Sequence, residues 1–164
     1  MAKMENKKPE EQKPINVPDD LQVGAEGVAY YTINEEGPIH GNYRGVFSIR
    51  CYLNPLDSLA AGRHFRELLG QYGDVAGEQD RYMAFCIAQL SRRVLKGPPW
   101  WHADQIAGNI PDLNVLSTLL DRALTAEAAY KQRLVKMKEE ALEKASVAAQ
   151  AIQENLNPKK EEEK

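Results

Sequence analysis

The sequence lacks most of the features that mark secreted, membrane-spanning and nucleic-acid-binding proteins. Only two of its 164 residues are cysteines, and two cysteines far apart in a chain do not form the disulfide framework of a small secreted domain. No run of about 18 apolar residues predicts a transmembrane helix, and the start, MAKMENKKPEEQKP, has no apolar stretch typical of a signal peptide. The net charge of -3 excludes a global basic field that attracts phosphates. We therefore expect a cytoplasmic protein with no nucleic acid and no membrane partner.

Motifs for catalysis and metal binding are also missing from the sequence. Five side chains could in principle ligate a metal or act as thiol and base: His40, His64, His102, Cys51 and Cys86. None forms a CxxC, HxxxH or HExxH spacing, which would fix two ligands on one face. Both cysteines lie in apolar periodic segments, where burial raises the thiol pKa and lowers its reactivity. We predict no catalytic residue, no metal and no cofactor, and two reduced cysteines in the core.

Apolar residues are concentrated in the middle of the chain, between two polar ends. Residues 1–21 bury too little area to offset the entropy of ordering, which predicts a flexible arm. Residues 22–135 are predicted to form a single α+β domain, residues 136–157 a projecting helix and residues 158–164 a charged tail. The expected fold class is α+β, mainly α-helical, with an N-terminal β-hairpin packed on three helices. The last helix is expected to be long and projecting, and both termini disordered.

Two runs in the first third of the chain predict a β-hairpin. The run GVAYYTI (27–33) is rich in β-branched and aromatic residues, and NEEGPIHGN (34–42) contains the Asn, Gly and Pro of a turn. In YRGVFSIRCYL (43–53), apolar and polar residues alternate with the period of a half-buried strand. Its predicted inner side is Phe47, Ile49, Cys51 and Leu53, and its outer side is Arg44, Ser48, Arg50 and Tyr52. A hairpin alone is marginal, so helices must cover its apolar face.

Two helices are predicted next. The first, PLDSLAAGRHFRELLG (55–70), can be capped by Asn54 or Asp57 and ends at Gly70. The second covers residues 78–95, and its wide apolar stripe indicates a central helix. The stripe of the first helix is Ala61, Phe65, Leu68 and Leu69. The stripe of the second is Tyr82, Met83, Phe85, Cys86, Ile87, Leu90 and Val94.

The last predicted helix is the longest. It starts after Asp112 and meets no Pro or Gly before Pro158, a length of roughly forty residues or about 60 Å. Apolar positions recur at spacings of three and four, with Glu127 as an interruption and alanine at several sites. These positions are Leu116, Leu120, Ala123, Glu127, Tyr130, Leu134, Met137, Ala141, Ala145, Ala148 and Ile152.

A domain of this size cannot cover the whole length of such a helix, so the part beyond Tyr130 is expected to project. Two interpretations of the projection remain open. A partner helix could dock on the stripe, or the helix could be a single solvated one held by ion pairs between successive turns. The first interpretation makes Tyr130, Leu134 and Met137 candidate partner-binding residues.

The segment LKGPPWWHAD (95–104) places two prolines and two tryptophans between the second and last helices. Pro98 and Pro99 make the segment stiff, and Trp100 and Trp101 are displayed in different directions. One tryptophan is expected to fill the core. The other is expected to anchor a protein partner, because Trp is enriched in interface hot spots and a rigid loop loses little entropy on binding. Trp101, beside the polar HADQ, is the expected exposed anchor, and all four residues are candidates for partner binding.

Three sequence blocks resemble those of small bacteriophage tail-assembly proteins. They are FSIRCYLNPLDSLAAGRHFRELLG, YMAFCIAQLSRRVLKGPPWW and IPDLNVLSTLLDRALTAEAAYKQRL. The similar features are an RELLG helix end (66–70), an aromatic-rich helix leading to PPWW (82–101), and an Asp-x-Asn-Val-Leu helix start followed by Ala-Glu-x-x-Tyr (112–133). The likeness covers about two-thirds of the chain. It implies a tail assembly chaperone, which would bind the long helical tape measure protein and keep it soluble until tail tube subunits polymerise around it.

Two functions therefore stay open at the level of sequence. The first is a non-enzymatic assembly chaperone of the host cell cytoplasm, a possible homo-oligomer, whose partner is the tape measure or another tail protein. The second is a minor structural component of the virion, such as a head-tail or tail protein. The long charged C-terminal helix departs from the family pattern and is compatible with both, as an added binding arm or as a structural element.

Overall fold

The chain forms one antiparallel sheet and three helices, an α+β architecture in a computed structural model that describes residues 14–38, 41–101 and 112–156. The four strands lie in chain order across the sheet. Their bounds are Leu21–Val23 (β1), Val28–Gly37 (β2), Gly41–Arg50 (β3) and Val94–Lys96 (β4). The helices are Pro55–Leu69 (α1), Glu78–Arg93 (α2) and Leu113–Leu156 (α3).

The predicted hairpin is the centre of the sheet, and it is longer than the sequence indicated. Strands β2 and β3 pair from Val28 opposite Arg50 to Gly37 opposite Gly41. The segment predicted as a nine-residue turn is therefore strand at both of its ends. Turn-forming residues such as Asn34 remain in the ladder because each has a cross-strand partner, which local propensity does not register.

Two three-residue strands complete the sheet, and neither was predicted. Strand β1 pairs with β2, and β4 pairs with β3 beside Ser48 and Ile49. Val94, predicted as the last apolar position of the second helix, is instead the first residue of β4, with extended backbone at φ -72° and ψ 116°. Strands of three residues are too short to show a periodic pattern in the sequence. They form because each pairs with an edge of the central hairpin.

Helix α1 begins and ends where the sequence predicted. The side chain of Asn54 accepts a hydrogen bond from the backbone N–H of Asp57 at 2.8 Å, and Pro55 occupies the first turn. Gly70 ends the helix with φ 55°, a conformation that glycine adopts without strain. Of the predicted stripe only Ala61 is buried. Helix α1 packs against α2, where the rings of Phe65 and Phe85 meet edge to face.

The core lies between the inner face of the sheet and helices α2 and α3. Phe47, Ile49 and Cys51 point inward as the strand alternation predicted, whereas Leu53 is half-buried. On α2, the buried face includes two small residues, Ala84 and Ala88, and the larger Tyr82, Met83 and Phe85 are partly exposed. The largest fully buried side chains are Tyr31, Phe47, Ile33, Ile49, Leu90, Leu116, Leu119, Leu120, Cys51 and Cys86.

The segment before β1 runs alongside α3 in the fold, although the sequence placed it in a flexible arm. Arg122 of α3 donates to Asp20 at 2.9 Å, and the backbone N–H of Ile15 donates to the side chain of Gln132 at 3.3 Å. Val17 packs against the core. Residues 14–21, the last eight of the predicted arm, therefore belong to the folded body. The predictions for residues 1–13 and 158–164 lie outside the described residues.

Candidate protein-binding site

The apolar stripe of α3 continues past the point where the sheet stops covering it. Leu116, Leu120 and Ala123 are fully buried against the sheet and α2. Farther along the same stripe, Leu134 and Met137 are 46% and 55% exposed. Within the described part of the helix, every residue from 133 onward for which burial is known is exposed, so the second half projects from the body as the sequence predicted.

A groove opens at the base of the projection, between the end of the sheet and α3. Six residues line it, and we call it the base groove: Tyr52, Leu53, Glu127, Tyr130, Lys131 and Leu134. Its volume is about 350 Å³, enough for one or two large side chains of a partner. Because Leu134 both lines the groove and belongs to the stripe, the groove and the projecting stripe form one continuous surface.

Two stacked tyrosines form the wall of the base groove. The rings of Tyr52 and Tyr130 lie 5.9 Å apart and are nearly parallel, at 9°. Gly27 makes this stack possible. A β-carbon at Gly27 would lie 3.0 Å from the Tyr52 ring and 3.3 Å from the Tyr130 ring, at a φ of +75° that other residues rarely adopt. Tyr52 remains 49% exposed, so part of its ring is an apolar surface open to solvent.

The floor of the groove carries an ion pair. Arg93, only 5% exposed, donates to Glu127 at 2.7 Å, and Lys131 bonds the other carboxylate oxygen of Glu127 from the solvent side. Burial raises the pKa of Glu127, but the hydrogen bonds from Lys131 and Arg93 outweigh it and leave the pKa below the ordinary value. The interruption of the apolar stripe at Glu127 is therefore the partner of a buried arginine.

The PPWW segment packs on the N-terminal half of β3, away from the base groove. There it covers the part of the β3 edge that β4 does not pair with. The Trp100 indole N–H donates to the carbonyl of Arg44 at 2.8 Å. Pro98 is buried and lies over Gly45, where an added β-carbon would come within 2.5 Å of it. Both tryptophan rings meet Phe47 edge to face, at 5.5 and 5.1 Å. This stiff segment thus closes a sheet edge that could otherwise pair with another chain.

The expectation that Trp101 is the exposed anchor is wrong. Trp101 is 7% exposed and belongs to the core, whereas Trp100 is the half-buried one of the pair. The polar neighbours HADQ were a poor guide, because the Trp101 ring packs edge to face against Phe47 in the core. Of the four residues in the segment, only Pro99 is exposed.

The predicted partner-binding residues therefore fall into two groups. Tyr130, Leu134 and Met137 lie on the continuous surface of groove and stripe. The PPWW group contacts β3 near Arg44, eight residues and roughly 25 Å from Tyr52 at the other end of the strand. Sequence reasoning missed Tyr52, Leu53 and Lys131 as part of the site. An outward aromatic at the end of an alternating strand, which describes Tyr52, was the available signal.

Neither cysteine is placed to act as a nucleophile. Cys51 and Cys86 are both buried and free. Burial raises the pKa of Cys51 to about 11 and also raises the pKa of Cys86. His64, the candidate base, contacts the hydroxyl of Ser91 at 3.2 Å. His40 and His102 lie outside the described residues, and the part of the chain that the structure does describe contains no cluster of three potential metal ligands.

No family model, curated protein or solved structure matches this chain. Among the described residues, no helix combines the length and apolar character that crossing a membrane requires.

Proposed function

We propose that this protein is a non-enzymatic assembly factor of a bacteriophage tail that holds a helical client along α3, in the host cytoplasm. The client is the tape measure protein or another tail protein. The observation that carries the proposal is the continuity of the stripe. The row of side chains that packs on the sheet through Ala123 extends, uncovered, through Leu134 and Met137. The resemblance of three sequence blocks to tail-assembly proteins supplies the biological setting.

A helix is the partner geometry that this surface favours. The positions of the exposed stripe lie three or four residues apart, which matches the apolar face of an amphipathic helix. The base groove would receive a large anchoring side chain at one end of the docked helix, against the Tyr52 ring. A tape measure protein is long and helical in the family that the sequence resembles, so it offers many such faces.

Binding to fragments of the tape measure protein of the same phage tests the proposal. Tyr130, Leu134 and Met137 changed together to serine should weaken binding by about 2 kcal/mol or more, since each removes apolar contact area. The matched control changes Lys136, Glu139 and Glu143 to serine on the opposite face, and should bind as the unchanged protein does. Isothermal titration with overlapping fragments gives both values.

Equal binding by the triple variant and its control would contradict the assignment of this surface. Mass spectrometry of purified virions separates the two functions that the sequence left open. An assembly chaperone is absent from finished particles, whereas stoichiometric amounts in the virion would favour the structural component.

A further inference from the structure

The projecting stripe has properties that match a second copy of itself. Its first half carries large side chains, Leu134 and Met137, and its second half carries Ala145 and Ala148 before Ile152. All are exposed. Large residues at one end and alanines at the other are complementary when two such helices run in opposite directions.

We propose that two copies of this protein dimerise by antiparallel packing of their projecting α3 helices. The two-fold axis lies between Ala141 and Ala145, so each contacts the other across the dimer. In this register Met137 faces Ala148 of the second copy, and Leu134 faces Ile152. Small residues at the axis let the two backbones approach closely, near the lower end of the range of about 8–10 Å for packed helices.

The charges along α3 select this direction over the parallel one. Lys131, Arg133, Lys136 and Lys138 give residues 131–138 four positive charges and no negative one. A parallel pair in register would place these two basic blocks side by side. In the antiparallel pair each block lies opposite residues 148–155, AAQAIQEN, which contain no basic residue. Near the axis, Glu140 of each copy lies opposite Lys144 of the other, which adds two attractive pairs.

The packed body of the protein also contributes to the dimer. Ile152 of the second copy arrives at Leu134, which lines the base groove, so the end of the incoming helix lies against the exposed ring of Tyr52. The interface thereby continues the contacts that α3 already makes with the sheet. This inference concerns the protein without a client and does not depend on the proposed function.

Two single-cysteine variants test the direction of pairing in the full chain. Leu134→Cys and Ile152→Cys, distinguished by a tag on one, are mixed and oxidised. The native Cys51 and Cys86 are buried and give little background. The proposal expects the mixed disulfide and little of either homodimer, because residues 134 of two antiparallel copies lie about 27 Å apart, far beyond disulfide reach. Homodimeric disulfides, or no disulfide, would overturn it.

A charge exchange tests the pairing by a second measurement. Glu140→Lys alone sets two positive charges opposite each other across the dimer, and Lys144→Glu alone sets two negative charges opposite each other. Each variant should dimerise about tenfold or more weakly than the unchanged protein by sedimentation equilibrium. An equimolar mixture of the two variants should recover dimers, because both cross-dimer pairs in the mixed species join opposite charges.

A substitution at the two-fold axis adds a matched pair of variants to the same measurement. Ala145→Glu should abolish dimers, because it brings a bulky charge to the point of closest approach, whereas Ser146→Glu on a neighbouring face should not. A monomeric unchanged protein, or charge variants whose mixture stays monomeric, would refute the proposal.

Discussion

Glu127 lies where the buried half of α3 gives way to the exposed half, and it determines the electrostatics of that boundary. One of its carboxylate oxygens binds the buried Arg93 and the other binds the exposed Lys131. Pairing with Arg93 and Lys131 lowers the pKa of Glu127 in the folded state. The ionised Glu127 therefore contributes its full stabilisation of the fold at pH values above its ordinary pKa of 4.5. The contribution is lost as the pH falls below that value through the folded pKa.

Replacing Glu127 should destabilise the fold far more than replacing an exposed glutamate of similar pairing. Glu127→Ala leaves the Arg93 guanidinium buried without its anion, and we expect the free energy of unfolding to fall by about 3 kcal/mol at neutral pH. The control is Glu67→Ala, whose pair with Arg63 at 3.6 Å is exposed and should contribute less than about 1 kcal/mol. Urea unfolding of both variants measures the difference, and equal losses would show that the Arg93 pair is not a stabilising contact.

At the scale of single elements, local signals in the sequence predicted the helices and the central hairpin well. Helix α1 begins after Asn54 and ends at Gly70, as predicted, because capping chemistry depends only on neighbouring residues. Phe47 and Ile49 face the core, because strand alternation follows from the backbone itself. The edge strands β1 and β4 were missed because three residues carry no period, and they exist only through pairing with β2 and β3.

The candidate binding surface was half predictable for the same reason. Leu134 and Met137 follow from helical spacing along one element, so the sequence could identify them. The place of Tyr52 in the surface could not be predicted, because it depends on α3 passing the end of β3. That is a contact between elements far apart in the chain. The direction of the Trp101 ring likewise depends on where Phe47 lies in the folded sheet, and the polarity of its sequence neighbours does not report it.

The two halves of α3 should differ sharply in their contribution to stability. A chain ending at Arg133 keeps the Glu127 pair, the Tyr130 stack and the contact of Ile15 with Gln132, so we expect its unfolding free energy to change by less than about 1 kcal/mol. Far-UV circular dichroism should show the loss of the removed helical residues only. A chain ending at Thr125 is the comparison. It loses the buried Ala126 and the Arg93 pair, and it should unfold at markedly lower denaturant. Similar midpoints for the two truncations would contradict this division of the helix.

For the whole molecule, the same stripe is assigned to two partners, a second copy and a helical client. The body supplies a rigid end to that stripe, since α3 is anchored by its packing on the sheet and by Asp20 and Glu127. A surface shared in this way makes binding of the two partners mutually exclusive. In the proposed dimer the exposed apolar side chains would be protected until a client is present, and the apparent client affinity would fall with the fraction of chains that are paired.

Mutual exclusion predicts that a variant impaired only in dimerisation binds the client more tightly. Ile152→Lys removes the contact with Leu134 of the second copy but leaves Tyr130, Leu134 and Met137 of its own chain available. At protein concentrations where the unchanged chain is dimeric, this variant should therefore bind a labelled tape measure fragment with higher apparent affinity. Sedimentation velocity should show the fragment converting unchanged dimers into complexes of one chain with one fragment. A fragment that binds intact dimers, with no gain from Ile152→Lys, would mean that client and second copy occupy different faces of α3.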